Sequence, residues 1–329
     1  MSQATKAKKS HLLIAFSAFS LTILTLVAIF AAQVLRNTGS EAEAAELPFA
    51  APAAGLNELP PIQTTIAALP QFNADLLAVL VDLGLTVSDL EALPRPAIDN
   101  ILPAGLGTVD FDDLTTYAAV PRFSLTPAVA SPGEAPVLAL EMFTDAVIEP
   151  LEGRWTVVGF EPGLDGEPGW VRVIVPVGRG ALPSDDAAAV NHQAVWVPES
   201  LVWLEEELNR IEVNLTDRRV TVFHADNVVG SFHVGIGVIG QTDTPVGLCS
   251  VIGATLIQTG EESLLTSCQS EMLDVYAGSG WATIALHEGT GFNVNTGGAI
   301  SNGCVRVPAA DFATYLAEIP VGTPVLFIP

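Results

Sequence analysis

Residues 281–307, WATIALHEGTGFNVNTGGAISNGCVRV, hold a histidine, a cysteine and an arginine in a glycine-rich setting. A free thiol is only a few per cent ionised near neutral pH, so a reactive cysteine needs a base or a positive field beside it. His287, where a strand leaves for a glycine-rich loop, offers Cys304 such a base. Gly303 lets the backbone approach a reacting carbonyl without a Cβ in the way. The N–H groups around Asn302–Cys304 can then hold a tetrahedral oxyanion. Arg306, two residues beyond Cys304, is a cation suited to a substrate carboxylate. The pattern is that of a cysteine acyltransferase; the competing interpretation is a buried structural cysteine with an unrelated surface histidine.

Other motifs are poorer. Gly235–Gly240 matches GxGxxG, but Gln241–Gly247 after it is turn chemistry where a dinucleotide site needs a helix. A strand end followed by a mobile loop fits better. The three cysteines and five histidines form no metal-binding pair such as CxxC or HExxH, so neither metal nor cofactor is expected. His224 and His233 are candidates to face each other across a hairpin.

The elements that position these residues are mainly β. Ile211, Val213 and Leu215 alternate with polar neighbours, as do Val220 and Val222, with a turn expected at Asp226-Asn227 before Val228–Val234. Strand signals continue at Ser250–Leu256, Trp281–His287 and Pro324–Ile328. Between them, Pro308 suits the first position of a helix bearing the stripe Phe312, Tyr315, Leu316 and Ile319, stopped by Pro320. Upstream, residues 121–205 form a β-rich accessory segment. Its strands Trp155–Val158 and Trp170–Val175 are separated by a Gly/Pro stretch, and its tryptophans either line a groove or pack a small β-module. Residues 63–120 suggest a small helical segment, with Asn73 or Asp75 capping a helix ended by Gly84, and further caps at Ser88-Asp89 and Asp110–Asp113.

The segment from His287 through Gly289-Thr290 to Ser301-Asn302-Gly303-Cys304-Val305-Arg306-Val307 resembles the signature of the YkuD-type L,D-transpeptidases. Asp243-Thr244-Pro245-Val246-Gly247 is similar to that family's Thr-Pro-x-Gly turn. The resemblance covers about residues 206–329 and implies a YkuD-like β-sandwich catalytic domain. Gly169-Trp170-Val171 is similar to accessory β segments that precede such domains. The implied chemistry is attack of Cys304 on the third residue of a peptidoglycan stem tetrapeptide, loss of D-Ala, and transfer of the thioester to an amine of a second stem, giving a 3→3 cross-link. It makes Cys304 the nucleophile and His287 the general base. Ser301, Asn302 and Gly303 form the oxyanion loop, and Arg306, Gly289 and Thr290 the substrate-binding positions. Donor and acceptor stem peptides are the expected partners, and carbapenems are expected to acylate the cysteine. An L,D-carboxypeptidase using the same thioester and a non-catalytic wall-binding protein are the alternatives. Two residues depart from the pattern. Glu288 separates His287 from Gly289, which either repositions the loop or adds a negative charge that raises the pKa of the pair. Asn302 replaces a frequent second histidine, leaving His287 as the base. With Cys304 free, Cys249 and Cys268 remain as a possible disulfide, closing a loop of about 20 residues worth roughly 3 kcal/mol.

Charge divides the chain. The net −24 comprises +4 in residues 1–36 (Lys6, Lys8, Lys9, Arg36) and −28 in the rest. So acidic a body repels phosphate backbones and argues against a nucleic-acid partner. Residues 12–35 are 24 consecutive uncharged residues, enough for a transmembrane anchor. The basic tail 1–11 then stays cytoplasmic and the catalytic domain lies outside the cell membrane, held off by an Ala/Pro/Glu-rich linker at 36–62. Secretion after signal cleavage is the alternative.

Overall fold

Alternating apolar and polar residues commit most of the chain to strands. The computed structural model describes residues 74–98, 100–144, 151–163, 169–256, 261–276, 282–289 and 297–329. The expected tail, membrane span and linker lie outside these residues, as do Asn73, Trp281 and Thr290. Among the described residues, no helix is long and apolar enough to cross a membrane.

Two short helices come first. Ala74–Asp82 buries Leu76 and Leu80 and gives way to Gly84, whose φ of 68° suits a residue without a Cβ. Val87–Ala92 starts at Thr86 rather than at Ser88-Asp89. The Thr86 hydroxyl accepts from Asp89 N (3.2 Å) and the Asp89 carboxylate from Thr86 N (2.8 Å), a reciprocal cap. Leu76, Leu80 and Leu90 pack with Ala139 and Leu201 against the strands that follow.

Those strands are β1 Gly107–Thr108, β2 Tyr117–Pro121, β3 Leu125–Val129, β4 Pro136–Glu141, β5 Phe143–Thr144, β6 Leu151–Glu152, β7 Trp155–Glu161, β8 Trp170–Ile174, β9 Gln193–Pro198 and β10 Val202–Glu206. Eight of them form one sheet, ordered β10-β2-β7-β8-β9-β3-β4 with β1 on β9. Trp155 is buried in its core with Val157, Val173, Val195 and Leu140.

The remaining strands are β11 Asn209–Asn214, β12 Arg219–His224, β13 Asn227–His233, β14 Ile236–Gly237, β15 Gly247–Leu256, β16 Glu262–Gln269, β17 Thr283–Gly289, β18 Ala299–Ser301, β19 Val305–Pro308 and β20 Pro324–Ile328. They build a second sheet, β13-β12-β11-β20-β15-β16-β17-β19, and the small pair β14-β18. Pro308 is the N-cap, not the first residue, of the helix Ala309–Tyr315, which sets Phe312 into the core beside Val305, Val307 and Phe327. A disulfide joins Cys249 of β15 to Cys268 of β16, with Cα atoms 5.6 Å apart, inside the same core.

The sheets share a mainly apolar seam. Val158, Ile174 and Ala194 of the first pack against Leu248 and Leu326 of the second. The buried Thr156 hydroxyl meets Ser250 Oγ (2.6 Å) and donates to the Gly322 carbonyl (2.8 Å).

Candidate functional site

Strand periodicity decides which way the candidate residues point. On β17, Ile284 and Leu286 face the core, so Thr283, Ala285 and His287 share the other face. On β19, Val305 and Val307 face the core, so Cys304 and Arg306 face away. The strands are parallel, with Leu286 beside Val305 and His287 beside Arg306. Cys304 therefore comes level with Ala285, two residues from His287 along the neighbouring strand. From a strand spacing of ~4.8 Å and a rise of ~3.3 Å per residue, their Cα atoms are roughly 8 Å apart, within reach of an imidazole and a thiol extended toward each other.

The histidine is oriented. His287 Nδ1 lies 2.7 Å from the Glu288 carbonyl, which can only accept, so Nδ1 carries the proton and Nε2 is left as the basic nitrogen. Burial holds the imidazole below the usual histidine range. The Glu288 carbonyl opposes that shift, the Arg306 charge reinforces it, and Glu261 opposes it more weakly. The expected charge effect of Glu288 does not appear. Its carboxylate accepts from Glu262 N (3.3 Å), and its carbonyl is what serves the ring.

Cys304 is a free, half-buried thiol whose hydrogen-bond partner is the Thr283 carbonyl (3.8 Å) rather than the imidazole. Burial pushes the thiol above its ordinary value, while a hydrogen bond with the Ala285 backbone and the Arg306 charge draw it back. The resting sulfur is a thiol that must turn toward His287 and lose its proton there. In unliganded sites such contacts are often loose until substrate binds.

The nucleophile loop is closely tied. Ser301 Oγ donates to the Cys304 carbonyl (2.6 Å) and accepts from Gly303 N (3.2 Å). Of the expected oxyanion positions, Gly303 N–H is engaged inside the loop by Ser301 Oγ. Asn302 is exposed. Gly303 has φ +115°, a conformation that favours glycine, and a Cβ there would also push Ile284 Cδ1 aside. Gly289 is buried at the end of β17 beside Pro308.

Two threonines hold this loop from behind, Thr244 of the Thr-Pro-x-Gly turn and Thr242, which the sequence reading did not single out. Thr244 Oγ1 accepts from Gly237 N (3.0 Å) and donates to the Gly303 carbonyl (2.7 Å). Thr242 Oγ1 donates to the Ser301 carbonyl (2.7 Å). Gly235 exchanges two backbone hydrogen bonds with Arg306 (2.9 and 2.8 Å). The Gly235–Gly247 segment holds the expected strand end, β14, and the loop after it is the scaffold of the nucleophile loop. The Thr-Pro-x-Gly resemblance marked its position, but not what the hydroxyls bind.

His224 and His233 do not face each other. The register sets His224 beside Asn227 and His233 beside Arg219, at opposite ends of the hairpin. No group of three or more His, Cys, Asp or Glu side chains among the described residues is arranged to hold a metal.

Residues 208–326 match the sequence model of the L,D-transpeptidase catalytic domain, YkuD. No curated protein matches. Among solved structures, an Enterococcus faecium L,D-transpeptidase mutant is 17% identical over 39% of this chain and 56% of its own, with a TM-score of 0.27. An L,D-transpeptidase from Mycobacterium tuberculosis is 15% identical over 53% of this chain and 98% of its own, with a TM-score of 0.32. The transpeptidase LdtMt1 in complex with imipenem is 16% identical over 53% and 99%, with a TM-score of 0.29. Residues 208–326 of this chain are thus an L,D-transpeptidase catalytic domain of the YkuD family.

Proposed function

We propose that this domain cross-links peptidoglycan through a Cys304 thioester. The observation that carries the assignment is that Cys304 and His287 share one face of adjacent parallel strands, with His287 Nδ1 fixed by a carbonyl and Nε2 left basic. His287 Nε2 takes the proton from Sγ, and the sulfur attacks the carbonyl carbon of the third stem residue. The Asn302 and Cys304 N–H groups stabilise the oxyanion. The imidazolium returns its proton to the leaving nitrogen of D-Ala as that C–N bond breaks, leaving the acyl thioester. An amine of a second stem then attacks, His287 accepts its proton, and Sγ leaves to give the 3→3 link. Arg306 acts on a substrate carboxylate. The uncharged run at 12–35 anchors the chain with this domain facing the wall, and carbapenems acylate Cys304.

The test incubates the full-length protein in detergent with tetrapeptide muropeptides and analyses products by mass spectrometry. A 3→3 dimer that disappears in Cys304→Ala supports the proposal. Equal dimer from the variant removes Cys304 as the nucleophile, and tripeptide without dimer makes water the acceptor and the enzyme a carboxypeptidase.

A further inference from the structure

A pocket of about 550 Å3 lies behind the nucleophile loop and includes neither Cys304 nor His287. Its size is that of a small-ligand site. Pro329 lies at its wall, and among its side chains are one guanidinium, Arg218, and two carboxylates, Asp243 and Glu271. All three are partly buried, and none forms an ion pair among the described residues. Each is instead held by one neutral contact. Arg218 Nη1 donates to the Gly297 carbonyl. Asp243 Oδ1 accepts from Gly240 N (2.7 Å), and Glu271 Oε1 accepts from Asn191 Nδ2 (3.0 Å). That leaves Arg218 further N–H donors and each carboxylate a second oxygen.

Half-buried charges without partners are costly, and they gather where a ligand completes them. Burial pushes the Glu271 carboxyl above its ordinary value, as expected for a carboxylate with no cation beside it. A simple anion would pair with Arg218 but meet two carboxylates. A simple cation would satisfy the carboxylates and leave Arg218 unmatched. A group with one carboxylate and one ammonium satisfies both. Ile239 and Val246, 65% and 43% exposed at the lining, give an aliphatic substituent an apolar surface.

We propose that this pocket binds the zwitterionic head of an α-amino acid: its carboxylate on Arg218 and its ammonium on Asp243 and Glu271. Two sources share that chemistry, a free amino acid such as the leaving D-Ala and the free amino-carboxylate end of a stem's diamino acid. The occupant would touch the turn that holds the nucleophile loop, because Asp243 precedes Thr244 and Thr244 Oγ1 is bonded to the Gly303 carbonyl. Giving it a part in the transfer reaction rests on the function proposed above; binding itself does not.

Equilibrium dialysis of radiolabelled D-alanine and meso-diaminopimelate against the full-length chain in detergent tests this. Saturable binding at one site is expected, unchanged in Cys304→Ala. The tighter of the two probes identifies the source. N-acetyl-D-alanine, lacking the ammonium, and D-alanine amide, lacking the carboxylate, should bind about tenfold more weakly or worse. Asp243→Asn with Glu271→Gln keeps the shape and both neutral contacts, and should lower affinity by a similar factor. Arg218→Gln should do the same, with folding of each variant checked by circular dichroism. No saturable binding of either probe overturns the proposal, as does full affinity in the Asn/Gln variant or loss of binding in Cys304→Ala. Because the readout needs no turnover, a protein that binds without cross-linking would sink only the proposed reaction.

Discussion

Thr244→Val isolates the scaffold of the nucleophile loop from its chemistry. Valine has nearly the shape of threonine but no hydroxyl, so the turn keeps its volume and loses two hydrogen bonds. The buried Thr244 hydroxyl serves Gly237 N (3.0 Å) and the Gly303 carbonyl (2.7 Å), and both groups would be left unsatisfied. An orphaned buried polar group costs about 1–3 kcal/mol. With some relaxation of the turn, the pair should cost about 2–4 kcal/mol, a large share of the ~5–15 kcal/mol that holds a protein folded. For a unit of this size the melting midpoint should fall by roughly 5–15 °C. Acylation of Cys304 by a carbapenem, followed by intact-protein mass, should slow at temperatures where the variant is still folded, because Gly303 precedes the nucleophile and loses its anchor. Thr244→Ser retains the hydroxyl and should stay close to wild type in both measurements. Thr242→Val, which removes a partly buried bond to the Ser301 carbonyl and a longer one from Val238 N (3.3 Å), should cost about 1–3 kcal/mol. If Thr244→Val melts and acylates like the wild type, the hydroxyl does not hold the loop and the scaffold argument is wrong.

Two further outcomes follow from buried titratable groups and the disulfide. His192 and His287 are both held below the usual histidine value by burial, so near pH 6.5 the unfolded chain takes up protons that the folded chain does not. Their contribution is fully present above that pH and is lost as pH falls toward the lowered values; Glu271, raised by burial, acts in the opposite sense above about pH 4.3. Denaturant midpoints measured from pH 8 to 5 should therefore drop below about pH 6.5, and less steeply in His287→Gln; a midpoint that rises on acidification contradicts the assigned shifts. Replacing Cys249 and Cys268 by serine should cost about 3 kcal/mol by chemical denaturation. Maleimide labelling should find one thiol in the denatured wild type and three after reduction, and labelling of all three without reductant would rule out the bridge.

How much of this was legible in the sequence depended on whether the interaction was local. Alternation in 211–222 and 284–287 marked strands and faces because it is a property of neighbouring residues. It put His287 at a strand end, whereas β17 continues two residues further, to Gly289. Pairing register is not local. The hairpin was expected to turn at Asp226-Asn227, but Ala225, with φ 51°, takes the turn with Asp226 and Asn227 already pairs with His224. That shift fixes which residues oppose each other, so His233 meets Arg219. Glu288 was read by its charge, yet its carboxylate reaches Glu262 N and its carbonyl orients the base. Thr242 and Thr244 act on carbonyls 59 residues away, a relation no spacing pattern encodes. The order of the first sheet was equally hidden, since β2 pairs with β7 and β10 and none of these is its neighbour in sequence.

The accessory strands also acquire a physical role that their composition did not suggest. A spacer needs no particular contact with the domain it carries, whereas this segment supplies buried partners to the catalytic fold. Thr156 of β7 meets Ser250 next to Cys249, and Asn191, in the bend before β9, accepts from Gln269 N (2.7 Å) next to Cys268, so both ends of the disulfide are flanked by bonds from the accessory segment. His192 adopts a left-handed φ of 74°, and its ring lies where a Cβ on Gly247 would stand, only 1.8 Å from that position. Gly247 closes the turn whose Thr244 holds Gly303. A histidine on the approach to β9 and a glycine of the second sheet therefore interlock three residues from the clamp on the nucleophile loop. Contacts of this kind transmit displacement, because a buried ring against a backbone has no room to yield. The first sheet is thereby part of what fixes the geometry of Cys304.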